Sequence, residues 1–72
     1  MTTRARQQSL RVATFFIILR DWFPKEQTKS IEGIVAKTFQ CSIGAVRRDI
    51  RFAKKLDGGI WWQIAERDKL IW

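Results

Sequence analysis

The chain reads as a small, mainly α-helical domain: a three-helix, helix-turn-helix core followed by a short fourth helix. Three observations predict it. Apolar residues recur at helical spacing in successive stretches. The breaks between them carry helix stop and start signals. A length of 72 residues with 46% hydrophobic content suits one domain with one core and argues against disorder.

Residues 1–8 are polar, basic and aperiodic, and are expected to form a flexible arm. Arg4 and Arg6 on such an arm can reach phosphates or a neighbouring minor groove; a terminus without a role is the plainer reading. Residues 9–23 are predicted as helix 1. Val12, Phe15, Phe16, Leu19, Trp22 and Phe23 form a stripe at i, i+3, i+4, i+7 spacing, and Pro24 stops it. Leu10, Ile17 and Ile18 lie off that stripe, so the C-terminal segment or a second subunit is expected to cover them.

Helix 2 is predicted over 30–40. Thr28 or Ser30 can cap it, and Ile34, Val35, Ala36 and Phe39 supply its apolar side. After the turn Gln40-Cys41-Ser42 comes helix 3, predicted over 43–56 with Ser42 as N-cap. At 100° per residue, Val46, Ile50 and Ala53 share the core side, with Ile43 at its edge. Gly44, Arg48, Arg51 and Lys55 fall opposite, with Arg47 and Lys54 on the flank. Two short helices joined by a tight turn, the second presenting arginines, is the arrangement that places a helix in the DNA major groove. Arginine's planar fork matches guanine edges and phosphates. Gly44, lacking a side chain, would let the backbone approach DNA closely. The plainer reading of the basic stripe is a solvated helix face.

Asp57-Gly58-Gly59 ends helix 3 with the residues that suit a left-handed stop. The segment 60–72 admits two readings. As a helix it gathers Ile60, Trp61, Ile64, Ala65, Ile71 and Trp72 on one side, leaving Trp62 and Leu70 outside. As a hairpin it would pair 60–64 with 69–72 as a small β wing, but its turn lacks Gly, Asn and Pro. Ala65-Glu66-Arg67-Asp68-Lys69 prefers helix, and helix is favoured.

The run Phe39-Gln40-Cys41-Ser42-Ile43-Gly44-Ala45-Val46-Arg47-Arg48-Asp49-Ile50 resembles the N-terminal helix-turn-helix of DeoR-type repressors, over roughly residues 30–56. The resemblance implies that Ser42, Arg47 and Arg48 touch DNA while Val46 and Ile50 pack the recognition helix. Ala45 stands where that family prefers threonine, and Gln40 where many helix-turn-helix proteins place glycine. The resemblance is confined to the helix-turn-helix, and no effector domain of the kind those repressors carry is expected.

The net charge is +7, unevenly spread. Residues 1–20 hold Arg4, Arg6, Arg11 and Arg20 and no acid, and residues 43–55 hold five cations against Asp49. Such an excess favours polyanionic partners. The lone cysteine, Cys41, can make no intrachain disulfide and is read as a structural thiol in the turn. No signal peptide or membrane span is read, so a cytoplasmic location is expected. Without histidine or tyrosine, and with one cysteine, no catalytic constellation is seen and no enzyme activity, cofactor or metal is expected.

The expectation is therefore a small sequence-specific double-stranded DNA-binding protein, a transcriptional regulator or mobile-element accessory factor that reads the major groove with helix 43–56. Homodimerisation through helix 1 or the C-terminal segment would suit two half-sites; no small-molecule effector is read. The alternative is a protein-interaction module on a helix-turn-helix scaffold.

Overall fold

The computed structural model describes residues 3–68, with side chains from Arg6 onward. Four α-helices follow one another: α1 (Thr3–Trp22), α2 (Thr28–Thr38), α3 (Ile43–Lys55) and α4 (Ile60–Arg67), with a 3₁₀ turn over Leu56–Gly59. α1 lies across α2 and α3, α2 packs on α3, and α4 closes the domain against α3 and α1. The mainly helical class holds. The segment after the glycines is a fourth helix, and no strand occurs among the described residues. None of the described helices is long and apolar enough to cross a membrane.

The helix ends differ from expectation in instructive ways. α1 starts at Thr3, so residues 3–8 are helix and not a loose arm. Ala5, Arg6, Gln7 and Gln8 all favour helix, and buried Ser9 anchors the turn that follows them. α1 stops at Trp22, where the amide of Phe23 still donates to the Leu19 carbonyl (2.9 Å) before Pro24. α2 begins two residues earlier than expected, at Thr28. Its N-cap is Gln27, which makes no side-chain capping bond, so neither Thr28 nor Ser30 serves as cap. α3 is capped as predicted, Ser42 Oγ accepting from the Ala45 amide at 3.1 Å. It ends at Lys55. Asp57, Gly58 and Gly59 then turn left-handed in succession, at φ +51°, +68° and +95°. α4 ends at Arg67; Leu70, Ile71 and Trp72 lie outside the described residues.

The α2–α3 turn is a Schellman motif built without glycine. The Cys41 amide donates to the Ala36 carbonyl (2.9 Å) and the Gln40 amide to Lys37 (3.3 Å). Closing those two bonds requires a left-handed residue between them, and Gln40 takes it at φ +55°. Cys41 is half-buried against the core, in keeping with a structural thiol.

Val12, Ile17, Ile31, Val35 and Val46 form the fully buried centre of the core. Each contributes about 1.5–3 kcal/mol by burial. The buried face of α1 is Ser9, Val12, Ala13, Phe16 and Ile17, joined by Leu19. Relative to the predicted stripe it is rotated. Ile17, assigned to the far side, is 1% exposed, whereas Trp22, assigned to the core, is 68% exposed and Phe23 is also exposed. The α1 side offered for a second subunit is thus reduced to Leu10 and Ile18, which are both half-buried. α4 is rotated too. Trp62 and Ala65 face inward while Ile60 and Ile64 face out. On α2, Ile31 is in the core and Ile34 is exposed.

Cations explain the setting of α4. Trp62 lies between Arg20, 5.9 Å from its ring centroid, and Lys54, 5.1 Å away. Arg20 also lies 5.5 Å from the Phe16 ring and hydrogen-bonds Glu66. Both kinds of contact favour Trp62 inward, and Ala65 is small enough for the close approach this needs.

Candidate nucleic-acid interface

The basic helix is built from its core side outward. Val46, Ile50 and Ala53 are buried against α1 and α2, as predicted. With those residues inside, the outer face of α3 must carry Gly44, Arg48, Arg51 and Lys55, and all four are exposed. None of the three cations has an ion-pair or hydrogen-bond partner among the described residues.

Two polar contacts set the rotation of α3 about its axis, one on each flank. On the α2 side, Arg47 Nε donates to both carboxylate oxygens of Glu32, each at 3.2 Å. On the α1 side, Ser9 Oγ donates to Asp49 Oδ1 at 3.0 Å. Glu32 and Ser9 are polar residues inside otherwise apolar faces, and both are satisfied by these bonds. A rotation of α3 that buried its outer cations would break both contacts and expose Val46 and Ile50. The outward setting of Arg48, Arg51 and Lys55 is therefore held by packing and by hydrogen bonds together.

Arg47 is placed differently from its neighbour. Its Nε is occupied, yet its side chain remains 53% exposed while that of Glu32 is only 11% exposed. The guanidinium thus spans the boundary between the α2 contact and solvent, and its two amino groups have no hydrogen-bond partner among the described residues. Together with Arg51, Lys54, Glu32 and Ile50 it lines an open cleft between α2 and α3.

Ser42 is exposed and accepts one capping bond, and its own hydroxyl hydrogen remains available to donate. Gly44 has ordinary helical geometry. A Cβ there would meet only Ser42 Oγ, at 3.7 Å, so nothing in the domain requires glycine at this position. Arg6 is exposed in the second turn of α1, one turn before Ser9 and hence on the part of α1 that runs past α3. The backbone of Arg4 is helical; its side chain lies outside the described residues.

Glu32, Ser9 and Lys54 are residues to which inspection of the sequence gave no role, although Lys54 was placed on the flank of helix 3. Two of them left a signal. Ser9 falls in register with Val12, Ala13, Phe16 and Ile17, and Glu32 sits beside Ile31 on the inward side of α2. A polar residue on a buried face announces a partner, but its identity lies 40 and 15 residues away in the chain, respectively.

A second charged cluster sits at the far end of α3. Glu66 is held below the ordinary glutamate pKa, chiefly by its hydrogen bond from Arg20, against the opposing effect of partial burial and with further help from the charge of Arg20, from Trp62 and from Lys54. This cluster joins α1, α3 and α4, and it engages Lys54 on Trp62 rather than leaving it wholly to solvent.

An apolar hollow completes the surface, lined by Leu10, Arg11, Thr14 and Phe15 of α1, Phe39 and Trp61. Phe15 and Phe39 meet edge to face at 5.7 Å across it. No family model matches the chain, and neither the curated proteins nor the solved structures contain a match to it.

Proposed function

We propose that this protein binds double-stranded DNA, inserting α3 into the major groove and acting as a small transcriptional regulator or a mobile-element accessory factor. The observation that carries the reading is the outer face of α3. Arg48, Arg51 and Lys55 stand exposed and without partners among the described residues, on a helix whose rotation is pinned from both sides. Unpaired, pre-oriented cations on a convex helix are what a polyanionic groove requires. Arg48, nearest the start of α3, reads base edges, with Ser42 beside it. Arg51 and Lys55 hold phosphates further along, and Arg6 adds to the basic surface from α1. The net charge of +7 supports association with DNA of any sequence.

The deciding experiment is a fluorescence-anisotropy titration of random duplex DNA at low salt, followed by selection from a random duplex library. Micromolar or tighter binding and an enriched motif are expected. No duplex binding at low salt would end the proposal. A palindromic motif would place a dimer on the DNA.

A protein-interaction role is the second reading, favoured by the exposed apolar residues Trp22, Ile60 and Ile64. A partner recovered from native lysate that survives nuclease treatment, with no duplex binding by the purified protein, is its signature.

A further inference from the structure

We propose that the cleft between α2 and α3 is a phosphate clamp, in which Arg47 and Arg51 together hold one phosphodiester of the DNA backbone, Lys54 adds to the positive field while resting on Trp62, and Glu32 acts as the positioning residue for Arg47. The inference rests on the DNA-binding reading and deepens it by assigning Arg47 to the DNA backbone. Arg47, Arg51 and Lys54 follow one another at i, i+4 and i+7, so they share the α2-facing flank of α3 and form a column along the cleft. Three cations face one carboxylate there, leaving an excess of two positive charges in a concave site.

The geometry of the Glu32–Arg47 pair is what makes the site specific. Glu32 takes only the Nε–H of Arg47, with both oxygens at 3.2 Å. The two amino groups, which offer the planar pair of donors that matches a phosphate, make no hydrogen bond among the described residues. An arginine held in this way loses less rotamer entropy on binding than a free one. The carboxylate itself is nearly enclosed, 11% exposed, so its negative charge is turned toward Arg47 rather than toward the ligand.

The test measures affinity for one random-sequence duplex as a function of salt, for the wild type, Arg47→Ala, Arg51→Ala and the double variant R47A/R51A. Thermal melts show that each variant is folded, and the neutral Arg47→Gln serves where Arg47→Ala fails to fold. Neutralising one phosphate contributes about 0.9 to the slope of log affinity against log salt. Two cations on one phosphate predict that the double variant loses about 0.9 in slope in total. Two separate phosphates predict a loss of about 1.8, which overturns the shared clamp, as does an unchanged slope.

Glu32→Gln tests the positioning role. In the wild-type background it is expected to weaken binding severalfold, because Arg47 loses its orientation. In the Arg47→Ala background it is expected to strengthen binding, because only a repulsive charge is removed. Stronger binding in both backgrounds excludes the positioning role. A wild type that binds no duplex refutes the clamp and the DNA-binding reading alike. A wild type that binds, with variant slopes unmoved, refutes the clamp alone.

Discussion

Gln40→Gly is expected to stabilise the protein, against the usual effect of glycine. Gln40 holds φ +55° because the two Schellman bonds that end α2 demand a left-handed residue there. That conformation costs an L-residue roughly 1–2 kcal/mol. Glycine adopts it freely but loses about 0.5–1 kcal/mol more backbone entropy on folding. The Gln40 side chain is exposed and has no partner among the described residues, so its removal forfeits little. The net gain is about 0.5–1 kcal/mol, or about 2–8 °C in Tm for a domain of this size. Gln63→Gly is the control: Gln63 is also exposed but lies within α4. There the same replacement loses about 0.5 kcal/mol of helix propensity and lowers Tm by a few degrees. Thermal unfolding followed by far-UV circular dichroism reads both. Opposite signs are expected, and a fall in Tm for both variants would refute the conformational argument.

Gly44→Ala should raise stability by about 0.5–1 kcal/mol, since the added methyl meets only open space and Ser42 Oγ. It should also weaken duplex binding severalfold by pushing the start of α3 off the DNA. Gly33→Ala, equally open inside α2, should raise stability and leave affinity unchanged; equal affinity for both variants would show that Gly44 makes no close approach. Arg48→Ala should cost about 1–3 kcal/mol on a selected site and blunt discrimination between sequences, whereas Lys55→Ala should weaken all sequences alike and lower the salt slope by about 0.9. The Glu66 carboxyl, depressed by Arg20, stabilises the fold fully above the ordinary pKa of 4.5, and that stability drains away as pH falls through the lower folded value. Glu66→Gln should therefore flatten the acid limb of a denaturant-stability profile. The effect should stay below about 1 kcal/mol because Arg20 and Glu66 are 40% and 41% exposed; an unchanged limb would show that the pair contributes nothing measurable.

Much of the candidate site was legible before any coordinates. On α3 Val46, Ile50 and Ala53 share one side and Gly44, Arg48, Arg51 and Lys55 the other, with Phe52 the apolar residue off the inner side, so the inward and outward settings of those seven residues could be read directly. Ser42 could be recognised as the cap because a side-chain acceptor three residues before an amide is a local matter. The glycines at 58 and 59 marked the left-handed stop for the same reason.

What the linear pattern left open was rotation and partnership. α1 is apolar on more than one side, so periodicity alone did not decide between Ile17 and Trp22 for the core. α4 is equally ambiguous, and Trp62 was turned inward by Arg20 and Lys54, cations from two other helices. The bonds Ser9–Asp49, Glu32–Arg47 and Arg20–Glu66 join residues 40, 15 and 46 positions apart. Helix identity and capping arise from neighbours within a turn, which the chain states directly. The setting of one helix against another arises from side chains that meet only after the backbone has folded, and so it was decided by the tertiary structure.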